Sequence, residues 1–380
     1  MKRLVIGLVL DDTLDSTDGV QQYVLTVGAW LQSQGHEVHY LVGQTSRTDL
    51  PNVHSLSRNV RVRFNKNRMS IPLPASRRVI RALFRKHHFD VLHVQVPYSP
   101  LLAGRIIKMA PADTAVVGTF HVAPFSAAVH MANRVLRVLV AGSLPRFDRM
   151  VSVSRVAQDF ARSTFGIETD IIPNTAQLAG FYAAKPLAQY KNMQTIVFLG
   201  RLVERKGCQY LLEAVARLRR AGKLDAPRVR VIVCGGGPLD AQLRRFVAEH
   251  DMADLVVFAG RVTEADKPRY LASADIVVFP STGGESFGIV LLEAMAASRG
   301  VVLAGDNPGY TAVMEDRPQA LFDPTDTAAL AGLLEQQLSS PQARASARAW
   351  QQAYVRQFDV PQVGARLLKM YEQALHRRAQ

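Results

Sequence analysis

Residues 276–296 read Ile-Val-Val-Phe-Pro-Ser-Thr-Gly-Gly-Glu-Ser-Phe-Gly-Ile-Val-Leu-Leu-Glu-Ala-Met-Ala. The apolar run Ile276–Phe279 predicts a strand buried on both faces. Gly283, Gly284 and Gly288 predict a turn, and the apolar residues after Gly288 predict a helix. A strand entering a glycine turn and then a helix is half of a parallel α/β unit. Glycines at such a turn let backbone amides approach a ligand, and the open helix N-terminus favours an anion. Glu285 lies in that mouth, with Ser286 and Phe287 beside it. Glu293 lies within an otherwise apolar helix, where a carboxylate needs partners. Hydrogen bonds from backbone or ligand hydroxyls are expected there, in preference to a structural cap or an ion pair.

The same alternation extends in both directions. Leu4–Leu10 reads as a strand, and Val20, Val24, Val27 and Leu31 mark one face of a helix that Gly35 ends. Further strands are expected at Val38–Val42, Val91–Val94, Val116–Thr119 and Met150–Val153. After an irregular stretch, Thr175–Asn192, a second series runs through Thr195–Leu199, Val229–Val233, Val256–Phe258, Ile276–Phe279 and Val301–Ala304. Strands alternating with helices predict two α/β domains, each a doubly wound parallel sheet, facing a central cleft. The expected boundaries are 1–178 for the first domain and 193–358 for the second. A last helix, within 359–380, is expected to cross back to the first domain.

Two further turns hold candidate site residues. Gly200-Arg201-Leu202-Val203-Glu204-Arg205-Lys206-Gly207 follows the strand Thr195–Leu199. Arg201 offers a planar fork and Lys206 a point charge for a diphosphate, while Glu204 and Arg205 read as solvated surface. Gly235 and Gly236 follow the strand ending at Val233, where a nucleotide could abut them.

The 380 residues are 48% apolar and 21% charged, which excludes a disordered or collagenous chain. Two cysteines, Cys208 and Cys234, exclude a disulfide framework and a zinc ribbon. The apolar run after Lys2 and Arg3 stops at Asp11 and Asp12, so it reads as a strand and not as a signal peptide. No window reaches the roughly 18 apolar residues of a membrane span. The pairs His36/His39 and His87/His88 lack partners at ligand spacing, so no metal is expected.

The net charge is +14, which calls for an anionic partner. Pro51–Phe89 contains no Asp or Glu and ten Lys or Arg. Within it, Val79, Ile80, Leu83 and Phe84 share one side of a helix, and Arg77, Arg78, Arg81 and Arg85 another, with Lys86 following. An ordinary surface helix has such a stripe too. The lack of acids favours docking on an anionic membrane surface. A nucleic-acid-binding protein is the rival from a different class, but no zinc-finger spacing, RNA-recognition aromatic pattern or helix-turn-helix signal is present. An oxidoreductase lacks its Gly-x-Gly-x-x-Gly after the first strand.

Together these segments resemble the retaining glycosyltransferases of family 4, which have the GT-B fold. The Glu-x7-Glu pair at Glu285 and Glu293, the Gly-Arg-Leu…Lys-Gly run and the glycine turn stand in the family's order. Pro173-Asn174, Asn307-Pro308-Gly309-Tyr310, Leu321-Phe322-Asp323-Pro324 and Phe358…Tyr371-Glu372 extend the likeness over essentially the whole chain. Thr282–Gly288, Gly118-Thr119-Phe120-His121 and Asp15–Gln21 are similar to bacterial phosphatidylinositol mannosyltransferases. The resemblance implies that Arg201 and Lys206 bind the donor diphosphate and Glu293 the ribose. It implies that Glu285 and nearby amides contact the transferred sugar, and that His121 sits over the sugar and reacting phosphate. Gly19 would let its loop approach the diphosphate, and Asp15 and Gln21 would face the acceptor. The donor implied is GDP-mannose or a UDP-hexose, with no further cofactor. The acceptor implied is a membrane lipid or glycolipid, or alternatively a soluble or polyprenyl-linked glycan. A cytoplasmic, peripheral position on the inner face of the cell membrane follows. Asp18 stands where the family has glycine, Thr175-Ala176-Gln177 replaces its Gly-Val-Asp, and Ser298 also replaces a glycine.

Overall fold

The computed structural model describes residues 2–15, 19–64, 67–121, 136–224, 228–285 and 287–380, with the backbone course alone for 61–64 and 67–71. The chain divides into two compact units, Met1–Ala176 with Val360–Gln380, and Gln177–Asp359.

In the first unit a seven-stranded parallel sheet has the order Val53–Ser55 (β3), Glu37–Val42 (β2), Val5–Leu10 (β1), Val91–Gln95 (β6), Ala115–Phe120 (β7), Arg149–Ser152 (β8) and Asp170–Ile171 (β9). The strands Asn59–Phe64 (β4) and Asn67–Pro72 (β5) form a separate antiparallel pair. Side chains of β1 and β2 alternate between two apolar layers. Ile6, Leu8, Leu10, Val38 and Tyr40 pack with Val24, Val27 and Leu31 of the helix Gly19–Ser33 and with Val363 and Leu367 of the helix Val360–Ala379. Val9 and Leu41 face the other way, towards Ile80, Leu83 and Ile106 of the helices Arg77–Lys86 and Leu102–Met109. Burial on both faces is why these strands read as unbroken apolar runs.

The final helix belongs wholly to this first unit. A Cβ added at Gly364 would lie 2.4 Å from the Trp30 ring, so only glycine admits that close approach.

The second unit holds a six-stranded parallel sheet in the order Val256–Gly260 (β12), Val229–Cys234 (β11), Gln194–Leu199 (β10), Ile276–Phe279 (β13), Val301–Gly305 (β14) and Leu321–Phe322 (β15). The stretch expected as an irregular seam after residue 178 is part of this unit. It contains the short helix Ala179–Tyr182, buries Phe181 and Tyr190, and donates the Leu187 amide to Ser273 Oγ at 2.9 Å.

In each sheet the winding reverses at one point, between β1 and β6 in the first and between β10 and β13 in the second. Loops leaving the carboxyl ends of strands at such a reversal diverge and open a crevice. Among the described residues no helix is long and apolar enough to cross a membrane.

Candidate active site

The reversal in the second sheet brings together two of the glycine turns read from the sequence. Gly200–Gly207 leaves β10 and Ser281–Gly288 leaves β13, so the segments face each other although about 80 residues separate them. The Thr282 amide donates to the Arg205 carbonyl at 2.9 Å. Gly207 has φ +73°, and a Cβ there would lie 1.8 Å from the Pro280 carbonyl oxygen, so the loop closes only around glycine.

Glu285 is the hub. Lys206 Nζ lies 2.8 Å from its Oε1, Arg205 Nη1 2.8 Å from the same atom, and Ser281 Oγ donates to it at 2.9 Å. Burial pushes the Glu285 carboxyl up, but Lys206, Arg205 and Ser281 together outweigh it and hold the group below its ordinary value. It is therefore an anion that fixes two cations. Arg205, expected to be mere surface, is instead one of its two ionic partners. The position of Glu285 directly after two glycines gave no sign of these partners. Arg201 is exposed and has no ion-pair partner among the described residues.

Glu293 departs from expectation. Its Oε1 receives Lys267 Nζ at 2.8 Å, and the two side chains are each 9% exposed. Lys267 also reaches Glu264 at 2.7 Å. The ion pair set aside in the sequence reading is what the structure contains, because a carboxylate at that depth is stabilised by a full countercharge. Burial holds the Glu293 carboxyl above its ordinary value, and Lys267 pulls it only part of the way back. A lysine opening a short helix gives no sequence signal of this role.

The remaining second-unit residues divide by what they touch. A Cβ at Gly235 would lie 1.9 Å from the Gly200 carbonyl, so this glycine is required by the neighbouring loop. Gly236 accepts the Leu202 amide at 3.1 Å, which ties the third glycine turn to the cation loop. Gly284 is exposed, at φ +73°. Phe287 is buried, with its ring centroid 5.8 Å from that of Phe358. Gly288 precedes the helix Ile289–Ala297 with φ +95°. Ser286 lies outside the described residues. Asn307 donates to the Ser281 carbonyl at 3.0 Å and caps the helix Pro308–Met314 by accepting the Tyr310 amide.

In the first unit His121 follows β7 and is buried. Its Nε2 lies 2.7 Å from Gln95 Oε1, at the end of β6, and the Tyr23 ring centroid is 4.8 Å away. With a carbonyl oxygen opposite Nε2, the proton sits there, and the remaining side-chain interaction of the buried imidazole is with Asn174. Burial pushes the imidazole down to about 3, so it is neutral at neutral pH. Next to Gln95, Val96 has φ +58°, a left-handed conformation that is strained for a β-branched residue. Below His121 a buried relay runs from Tyr371 to His93 Nδ1 (2.7 Å) and from His93 Nε2 to Thr119 Oγ1 (2.7 Å).

The two residues expected to face the acceptor are engaged within the protein. Asp15 accepts from Thr45 Oγ1 at 2.6 Å and from the Ser46 amide at 2.9 Å. Gln21 is buried and donates to Asp12 Oδ2 at 2.8 Å. Gly19 opens its helix and is exposed, and Asp18 lies outside the described residues. Asp11, also after β1, accepts from Ser99 and from the Ala103 amide, and burial lifts its carboxyl to about 6. The sequence reading used Asp11 only to end a strand.

The basic helix Arg77–Lys86 is capped by Ser76, and Ile80 and Leu83 are buried against the sheet. Arg77, Arg78, Arg81, Arg85 and Lys86 are all exposed. Val79, expected on the apolar side, is instead 42% exposed beside them. As for the histidine pairs, His36 Nδ1 accepts the Leu4 amide at 3.1 Å, and His88 lies 3.8 Å from Asp113. His39 and His87 turn instead towards His54.

Residues 17–178 match the family model described as Glycosyltransferase Family 4, and residues 183–354 the model described as Glycosyl transferases group 1. The chain is 32% identical over 378 residues to a phosphatidyl-myo-inositol mannosyltransferase of Mycolicibacterium smegmatis, covering 97% of this chain and 93% of that one. It is 28% identical over 318 residues to a GDP-mannose-dependent alpha-(1-6)-phosphatidylinositol monomannoside mannosyltransferase of Mycobacterium tuberculosis, covering 80% of each. The sucrose-phosphate synthase of Thermosynechococcus elongatus has the same fold, with a TM-score of 0.71 at 19% identity over 98% of this chain and 99% of that one.

Proposed function

This chain belongs to glycosyltransferase family 4, and on that premise we propose that it transfers a mannosyl group from GDP-mannose to a phosphatidylinositol-type membrane lipid. The observation that carries the reading is the similarity to phosphatidyl-myo-inositol mannosyltransferases along nearly the full length of both chains. The hub around Glu285 supports it chemically. Lys206 and Arg205, oriented by one carboxylate, together with exposed Arg201, form a cluster of cations at a glycine-fronted turn. Such a cluster stabilises the charge that develops on a departing diphosphate without a metal ion. Glu293, close-coupled to Lys267, keeps one carboxylate oxygen for the donor's ribose. Gly235, Gly236, Gly284 and the backbone around Gly288 line the donor's path, and the donor is the only small molecule the reaction needs.

In this proposal the transfer retains configuration. Among the described residues, the carboxylate at the centre of the cation cluster, Glu285, is held by two cations and so is a poor general base. The departing phosphate oxygen then takes the acceptor proton on the same face. His121 is neutral, and a neutral imidazole beside the buried Asn174 side chain suits a hydrogen bond with a sugar hydroxyl. Asp15 and Gln21 shape the acceptor side through the loops they tie down.

The acceptor brings the protein to a surface. The five exposed cations Arg77, Arg78, Arg81, Arg85 and Lys86, with exposed Leu73 and Val79, suit contact with anionic lipid at the cytoplasmic face. The test is transfer of radiolabelled mannose from GDP-mannose into lipid extract or phosphatidylinositol vesicles, with UDP-glucose, UDP-galactose and a soluble glycan acceptor as the competing arms.

A further inference from the structure

Three histidines from three separate elements meet in the first unit. They are His39 in β2, His54 in β3 and His87, which caps the C-terminus of the helix Arg77–Lys86. One ring nitrogen of each lies within 4.8 Å of the others, and among the described residues this is the group of metal-ligating side chains that converges so closely. None of the three takes part in the hub around Glu285 or the relay below His121.

The hydrogen bonds set the tautomers. His39 Nε2 is 2.9 Å from Glu37 Oε1, so it carries the proton and donates it to the carboxylate. That leaves the His39 Nδ1 lone pair facing His54 Nε2 at 2.9 Å. His87 Nε2 is buried with no hydrogen-bond partner. A buried nitrogen without a partner, beside two ring nitrogens already facing each other, is costly unless something satisfies it.

We propose that His39 Nδ1, His54 Nε2 and His87 Nε2 bind a divalent transition-metal ion of borderline character, such as Zn²⁺. Imidazole nitrogens suit such ions. Bonds of about 2.0–2.1 Å in a tetrahedral site hold nitrogens roughly 3.4 Å apart, a spacing that modest side-chain rotation from the present one reaches. Glu37 supplies the carboxylate that commonly orients and polarises a ligating histidine, and Arg3 in turn holds Glu37 at 2.9 Å. Ligation needs the His54 proton on Nδ1, with no oxidation or reduction. Lys86, next to His87, opposes the ion's charge, but it is exposed and screened by water. Three histidines leave the fourth position to water, and the ion would pin the end of the basic helix to the edge of the sheet.

The test titrates Zn²⁺, and separately Co²⁺, into the full-length protein carrying no polyhistidine tag. The expected result is one ion per chain, a Co²⁺ visible absorption band of a tetrahedral nitrogen site, and a rise in melting temperature with Zn²⁺. His54→Gln and His87→Gln should each abolish the band, and Glu37→Gln should weaken binding about 10–100-fold. Where His54→Gln fails to fold, His87→Gln at the helix end gives the same reading. No stoichiometric binding, or binding unchanged in His87→Gln, overturns the proposal. Because the readouts are binding and spectra, they stand apart from whether mannose is transferred.

Discussion

Lys206 and Glu285 are joined, Nζ to Oε1, at 2.8 Å across two loops that leave neighbouring strands of the second sheet. The same carboxylate oxygen holds Arg205 at 2.8 Å. The loops are glycine-bounded, so the backbone can bend tightly enough for one anion to organise two cations.

Glu285→Gln is predicted to remove the charge that orients both cations while keeping the hydrogen bond from Ser281. Lys206→Ala removes the donor proposed for the leaving group. Each should lower kcat for sugar transfer about 10²–10³-fold, the range seen when one transition-state donor is lost. Steady-state kinetics with circular dichroism on the same samples checks this. An unchanged kcat in folded Lys206→Ala would remove the cation from the chemistry.

Lys267→Met leaves the Glu293 carboxylate buried and unpaired. Breaking such a pair from one side costs about 3–5 kcal/mol, whereas an apolar double replacement costs far less. Urea denaturation should therefore show Lys267→Met strongly destabilised, and Lys267→Met combined with Glu293→Leu largely restored. The double variant is still expected to bind the donor poorly, which separates the stabilising part of Glu293 from the ribose contact proposed for it.

How much of this was legible follows the range of each interaction. The long strands announced themselves through apolar runs, because a parallel sheet buries both faces. The Gly200–Gly207 and Ser281–Gly288 turns were visible because glycine and charge cluster locally. What escaped was every pairing made across the fold. Lys267 with Glu293, Arg205 with Glu285 and His54 with His39 each join residues from different elements, and no local pattern encodes the partner. The β4–β5 pair was missed although Val60, Val62 and Phe64 alternate with polar residues, since the run of cations drew the eye to charge.

Acid should destabilise the first unit through its buried histidines. Burial, with a smaller contribution from His121, pushes His93 down to about 3 from 6.5. Between those values the unfolded chain holds the extra proton, so stability falls as pH drops from about 7 towards 3. One such proton gives a slope of up to about 1.4 kcal/mol per pH unit. Asp11, lifted by burial to about 6 from 3.8, acts in the opposite sense between those two values. Urea midpoints at pH 7 and pH 5 should therefore fall less in His93→Gln than in the parent chain. An identical fall in both would mean that His93 is not held neutral.

Replacing Arg77, Arg78, Arg81 and Arg85 by alanine is predicted to weaken partitioning onto anionic vesicles. Each lost cation is worth about 1 kcal/mol, or roughly fivefold. Cosedimentation with phosphatidylglycerol vesicles reads the effect, and it should shrink as salt is raised. Equal binding of the parent chain to neutral and anionic vesicles would rule out charge-driven docking.

The most direct measurement is mannosyl transfer itself, with GDP-mannose as donor and phosphatidylinositol in vesicles as acceptor, followed by mass analysis of the lipid. The account predicts a lipid heavier by one hexose with the parent chain and almost none with Lys206→Ala. Turnover with a UDP-hexose alone, or transfer only to a soluble glycan, would contradict it.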